Sequence, residues 1–150
     1  MSFRFAILRH QTPADSRRIS HWDLLLEQPS NFGETLLTFA APTPPEEWVT
    51  ATVVQQLPNH RPLYLDYEGQ ISGHRGSVSC VLKGTIQWRE FSAALLVAAV
   101  QSIGIPALAD KVHMEQGELR LRKLTDHPGD GSQWELVQKP FVPSTSLKHP

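Results

Sequence analysis

The feature that most constrains this chain is a succession of short apolar runs, each closed by turn-forming residues before it reaches helical length. FRFAILRH (3–10), HWDLLLE (21–27) and ETLLTFAAP (34–42) are separated by QTPADSRRIS and QPSNFG. Further on, SVSCVL and TIQW read as a hairpin pair with a turn at Lys83-Gly84, and GELRLRKL and QWELVQKP alternate with period two around the turn cluster TDHPGDGS. Period-two alternation and β-branched or aromatic enrichment mark strands, and strands this short must share one core. The fold class expected is mainly β: a small β-barrel or strongly curved antiparallel sheet with one or two short helices.

Two segments read as helix. TPPEEW has Thr43 as a cap, Pro44 at the first helical position and Glu46 at the capping-box position. EFSAALLVAAVQSIGIP (90–106) is rich in alanine and leucine and ends on Gly104 and Pro106, which favours a buried helix over a pair of strands. TATVVQQL leans towards strand through its β-branched residues. NHRPLYLDYEG reads as a polar connection that becomes strand-like from Tyr64 to Tyr67. With no repeat and no second domain in sight, residues 1–140 are expected to form one domain and 141–150 a frayed tail.

A net charge of −1 argues against a polyanion binder working through bulk charge. The first twenty residues nevertheless hold Arg4, Arg9, Arg17 and Arg18 against only Asp15, which makes one end locally positive. The single cysteine, Cys80, excludes an internal disulfide framework and reads as packing. The longest apolar stretch, AALLVAAV, is too short to span a bilayer, and the N-terminus has no signal-peptide pattern, so a soluble cytoplasmic protein without membrane partners is expected.

HWDLLLE carries the chemistry. On a strand, His21, Asp23, Leu25 and Glu27 share one face while Trp22, Leu24 and Leu26 share the other. An apolar face of that kind is core; a face bearing imidazole and carboxylate needs another purpose. His10, at the end of the preceding strand, supplies a second imidazole. Two histidines and a carboxylate on rigid strands form a frequent ligand set for a divalent transition metal with open positions, for which zinc, manganese and iron are all admissible. The polar pair is expected to face inward to hold that ion.

The order FRFAILRH, HWDLLLE, LLTFAAP, HRPLYLDYEG and QWELVQKP resembles the landmarks of the 3′-phosphoesterase domain of bacterial DNA ligase D. His-x-Asp-x-x-x-Glu followed by His-x-x-x-Tyr-x-x-x-Glu-Gly is the specific part of the likeness, which covers most of residues 3–88 and returns weakly from Gly117 to Pro140. The resemblance implies a small β-barrel, manganese as cofactor (zinc as the alternative), and removal of a 3′-phosphate or 3′-ribonucleoside from nucleic-acid ends, with ligase or polymerase activities supplied by separate chains. Carried over by position, His10, His21 and Asp23 would be metal ligands, His60 and Tyr64 would contact the scissile phosphate, and Glu27 would orient a ligand or the neighbouring strand.

The chain departs from that pattern where the family is basic. Leu25 stands in place of a phosphate-binding arginine and Thr43 in place of a lysine, and the segment between His10 and His21 is longer than usual. A lost charged hydrogen bond to phosphate costs roughly 1.5–3 kcal/mol. The cations available to replace it are Arg17, Arg18, Arg61 and Arg75, with Arg17 and Arg18 favoured because their segment adjoins two proposed ligands. The same departures define the alternative: a catalytically silent metal-containing module that binds DNA ends or a partner. A phosphoesterase for a small metabolite is a third reading.

Overall fold

The computed structural model describes residues 1–106, 111–125 and 131–142, with 111–116 described by their backbone. Among the described residues, nine strands form one antiparallel sheet: β1 (Phe3–Gln11), β2 (His21–Glu27), β3 (Leu36–Ala41), β4 (Thr52–His60), β5 (Gly69–Gln70), β6 (Ser77–Phe91), β7 (Leu95–Gly104), β8 (Lys111–Thr125) and β9 (Gln133–Lys139). The order is β1-β2-β3-β4-β9-β8-β7-β6, and β1 pairs back onto β6, which closes an eight-stranded barrel; the two-residue β5 adds to the outer end of β6. Closure removes the sheet edges that would otherwise invite pairing with other chains.

Alternation divides the buried residues into two clusters. Phe5, Ile7, Leu24, Leu26, Phe39, Val54, Leu82, Ile86, Leu96, Leu119, Trp134 and Leu136 come from every strand of the barrel and fill its interior. Ala6, Leu8, Leu25, Leu36, Leu65 and Val78 form a second cluster on the outer face, beneath the 3-10 turn Pro62–Leu65. HWDLLLE is therefore buried on both faces, not on one. His21 and Asp23 face away from the barrel core, on the outer side where this second layer begins, in contrast to the inward orientation expected from the strand pattern.

Four local expectations are corrected. Residues 95–104 are strand β7, not helix. Leu96, Ala98, Val100 and Ile103 enter the core while Val97 is buried on the opposite face, so apolar residues on both sides erased the alternation that identifies a strand. The hairpin turn predicted at Lys83-Gly84 is absent: β6 runs through it unbroken for 15 residues. Gly84 is there because a Cβ would stand 2.0 Å from the Ser102 carbonyl oxygen. TPPEEW forms a short helix as expected, the 3-10 turn Pro45–Val49, but without the expected Thr43 cap: the Thr43 hydroxyl makes no hydrogen bond, and the Thr43 carbonyl instead accepts from Trp48 Nε1–H at 3.0 Å. The strand-like stretch expected around Tyr64 is the 3-10 turn Pro62–Leu65.

The tail is also corrected in part. Phe141 and Val142 are buried in the core, and both backbone N–H groups donate to the carboxamide oxygen of buried Gln138. Residues 143–150 lie outside the described residues. Among those described, no helix is long and apolar enough to cross a membrane.

Candidate metal centre

Register places the three proposed ligands together. His10 is the direct partner of His21 across β1 and β2, and Asp23 pairs with Leu8. A strand returns its side chains to one face every second residue, so Asp23 sits beside both rings. His10 Nδ1 lies 3.4 Å from Asp23 Oδ2, and His21 Nε2 lies 3.0 Å from Asp23 Oδ1. One ligand atom from each of the three falls within 4.8 Å of the others, the one such group among the described residues.

The remaining ring nitrogens are fixed by backbone. His10 Nε2–H donates to the Arg75 carbonyl at 2.9 Å, and His21 Nδ1–H donates to the Ile19 carbonyl at 2.8 Å. A carbonyl can only accept, so each neutral ring carries its lone pair on the nitrogen turned towards Asp23. Metal-ligating histidines are held in this way, with the far N–H on a carbonyl or carboxylate. His21 Nε2 and Asp23 Oδ1 are sealed from solvent yet make no well-aligned hydrogen bond in spite of their closeness. Lone pairs and a carboxylate converging in a buried site require a cation between them, either a proton on a histidine or a metal ion. The residues present fit a divalent ion, and the group could hold one.

Without a metal, the proton does that work. Burial opposes the charge on Asp23, but attraction to the adjacent His10 and His21 rings in their protonated form outweighs it and holds the carboxyl at a pKa of about 2. The bond to Asp23 likewise raises His10, against the opposing effects of burial and of nearby Arg18.

A cavity of about 350 Å³ opens beside the cluster. His10 and Asp23 line it together with His60, Tyr64, Arg61, Arg75 and Arg18, and apolar residues such as Leu8, Leu57 and Ile71 complete the wall. The two residues proposed to contact phosphate and three of the four proposed cations thus share one space with two of the proposed ligands. The His60 and Tyr64 rings pack edge to face at 5.5 Å, and His60 Nδ1–H donates to the Pro58 carbonyl at 3.0 Å, which leaves Nε2 as the ring's uncommitted nitrogen. Arg75 is steadied by its own turn, with Nε–H on the Ser72 carbonyl at 2.7 Å. Three arginines and two histidines among the lining residues give the cavity the basic character that suits an anion.

Other proposed residues lie elsewhere. Arg17 lines a second cleft on the far side of His21, which Arg18 and His21 also line. Glu27 sits at the other end of β2, about 13 Å from Asp23 by strand rise, where its carboxylate accepts from the Arg4 backbone N–H. It ties β2 to β1 and touches no ligand. Leu25 is fully buried in the outer cluster, so its position offers no charge to the cavity. Cys80 is half-buried, and burial pushes its thiol up, away from thiolate chemistry.

Sequence reasoning missed the Arg75 and Ile19 carbonyls, because a backbone acceptor leaves no mark in residue type. It also missed the exposed ion pair between His74 and Asp15, 3.0 Å, that links the segments carrying those carbonyls. No protein-family model matches this chain, and no curated protein matches it either.

Proposed function

We propose that this chain is a metal-dependent phosphoesterase that removes a 3′-phosphate or 3′-ribonucleoside from nucleic-acid ends in the cytoplasm, with manganese as its ion and ligation or synthesis left to separate chains. The observation that carries this reading is the single cavity in which His10 and Asp23 meet His60, Tyr64 and three arginines. A divalent ion at the cluster would polarise a phosphoryl oxygen and offset the charge that develops on it. Arg18, Arg61 and Arg75 supply the anion-binding charge that Leu25 does not. His60, its Nδ1–H committed to Pro58, has Nε2 available for a second proton, and once protonated there it would donate to a phosphate oxygen or to the leaving oxygen. The Tyr64 hydroxyl adds a neutral donor.

Buried Leu25 is what favours a silent module that grips ends through the same ion, and turnover separates the two. A DNA primer with a 3′-phosphate, incubated with the protein and manganese, is expected to release phosphate, while His21→Ala is inert at the same concentration. Binding of metal and primer ends without release by the wild type would identify the silent module; no release and no end binding would end both readings.

A further inference from the structure

The cleft on the far side of His21, about 610 Å³, has a different character from the cavity beside it. Two of its apolar side chains are open to solvent: Ile19 is 84% exposed and Val53 52% exposed. Single exposed apolar residues are ordinary, but these two line one concavity whose rim carries Arg17 and Arg18. Arg18 lines both spaces, and His21 lines this one while Asp23 lines the other. The metal cluster therefore stands at the boundary between an anion-binding cavity and an apolar-walled cleft.

Register sets the cleft's dimensions. Asp23 pairs with Ala40, Ala40 with Gln55, and Gln55 with Gln133, so these four form a row across β2, β3, β4 and β9 on the barrel's outer face. Strands lie about 4.8 Å apart, which puts Gln55 about 10 Å and Gln133 about 14 Å from Asp23 along the row. Ala40, next to the carboxylate, leaves a hollow; carboxamide-bearing residues lie at the far end. Resting on the phosphoesterase reading, we infer that this cleft seats the nucleoside attached to the scissile phosphate, its ring between Ile19 and Val53 and its polar edge towards Gln55 and Gln133. A base offers flat apolar faces and a hydrogen-bonding rim, which suits this combination of apolar wall and amide groups. A bare sugar phosphate would leave the wall wet.

Equilibrium binding by calorimetry tests this independently of turnover. Wild-type protein with manganese is titrated with a nucleoside 3′-methylenephosphonate, which has no ester bond to hydrolyse, and, separately, with the matching ribose phosphonate as the ribose phosphate ligand. The nucleotide is expected to bind at least about tenfold tighter, and Ile19→Ser and Gln133→Ala are each expected to reduce that preference about threefold or more without changing affinity for ribose phosphate. Both positions are exposed, so neither change threatens the fold. Equal affinity for the two ligands, or a preference untouched by both substitutions, overturns the assignment. A base preference that persists in a protein hydrolysing no phosphoester would overturn the phosphoesterase reading and leave the cleft as a nucleotide site.

Discussion

His10 and His21 face each other as register partners across β1 and β2, with their ring centroids 4.7 Å apart and one nitrogen of each turned to the Asp23 carboxylate. Their outer nitrogens are bonded to carbonyls from two different loops, at Arg75 and at Ile19. The cluster is thus oriented by strand register from beneath and by loop backbone from the sides.

The metal-free protein should show this in its pH dependence. Asp23 is held at about 2, below the ordinary 3.8. A depressed carboxyl stabilises the fold above its unfolded pKa, and that contribution, on the order of 2 kcal/mol, is lost as pH falls from about 4 towards 2. His10 behaves in the opposite sense. Asp23 raises it above 6.5, so its contribution is complete below that pH and is lost as pH rises through the raised value. Denaturant unfolding of the metal-free protein should give greatest stability between about pH 4 and 6.5, and Asp23→Asn should flatten both limbs.

Gly76 couples the fold to the site. Its φ is +93°, and a Cβ there would stand 1.9 Å from the Gln11 carbonyl oxygen. Gly76→Ala must displace the segment that presents the Arg75 carbonyl to His10. It is expected to lower stability by about 1–3 kcal/mol and to weaken metal affinity about tenfold or more, both measurable on one purified variant.

Leu25→Arg is expected to cost stability without adding a phosphate contact. The position is sealed among Leu8, Leu36, Leu65 and Val78, where an unpaired guanidinium costs several kcal/mol. Thermal unfolding should show a large drop in Tm with no gain in phosphate release. An active, stable Leu25→Arg protein would show that the outer cluster opens readily.

Arg18 lines both spaces beside the cluster, so Arg18→Ala is expected to reduce primer turnover about 10- to 100-fold. It should also shallow the salt dependence of primer binding, because a lost phosphate contact releases fewer counterions. A variant with wild-type turnover would assign the phosphate contact to Arg61 and Arg75.

The barrel was legible in the sequence because its strands carry a one-sided pattern: Arg120 and Arg122 alternate with Leu119 and Leu121 and mark β8 plainly. β7 was not, since Leu96 and Val97 are buried on opposite faces and leave no period to detect. The grouping of His21 with Asp23 was legible through His-x-Asp, whose spacing is a strand's own repeat. Its orientation was not, because inside and outside of a barrel look alike along a strand once the outer face is also covered, as Leu25 is by Leu65. Of the two roles that resemblance suggested for Glu27, strand rise carries it too far from Asp23 to orient a ligand, while its bond to the Arg4 backbone N–H ties it to the neighbouring strand.

Titration of the metal-free protein with manganese, with zinc in parallel, tests the central claim most directly. One ion per chain is expected to bind, and His10→Ala, His21→Ala and Asp23→Ala are each expected to abolish binding while far-ultraviolet circular dichroism still reports the barrel. Failure to bind either ion, or binding that survives all three replacements, would contradict the account.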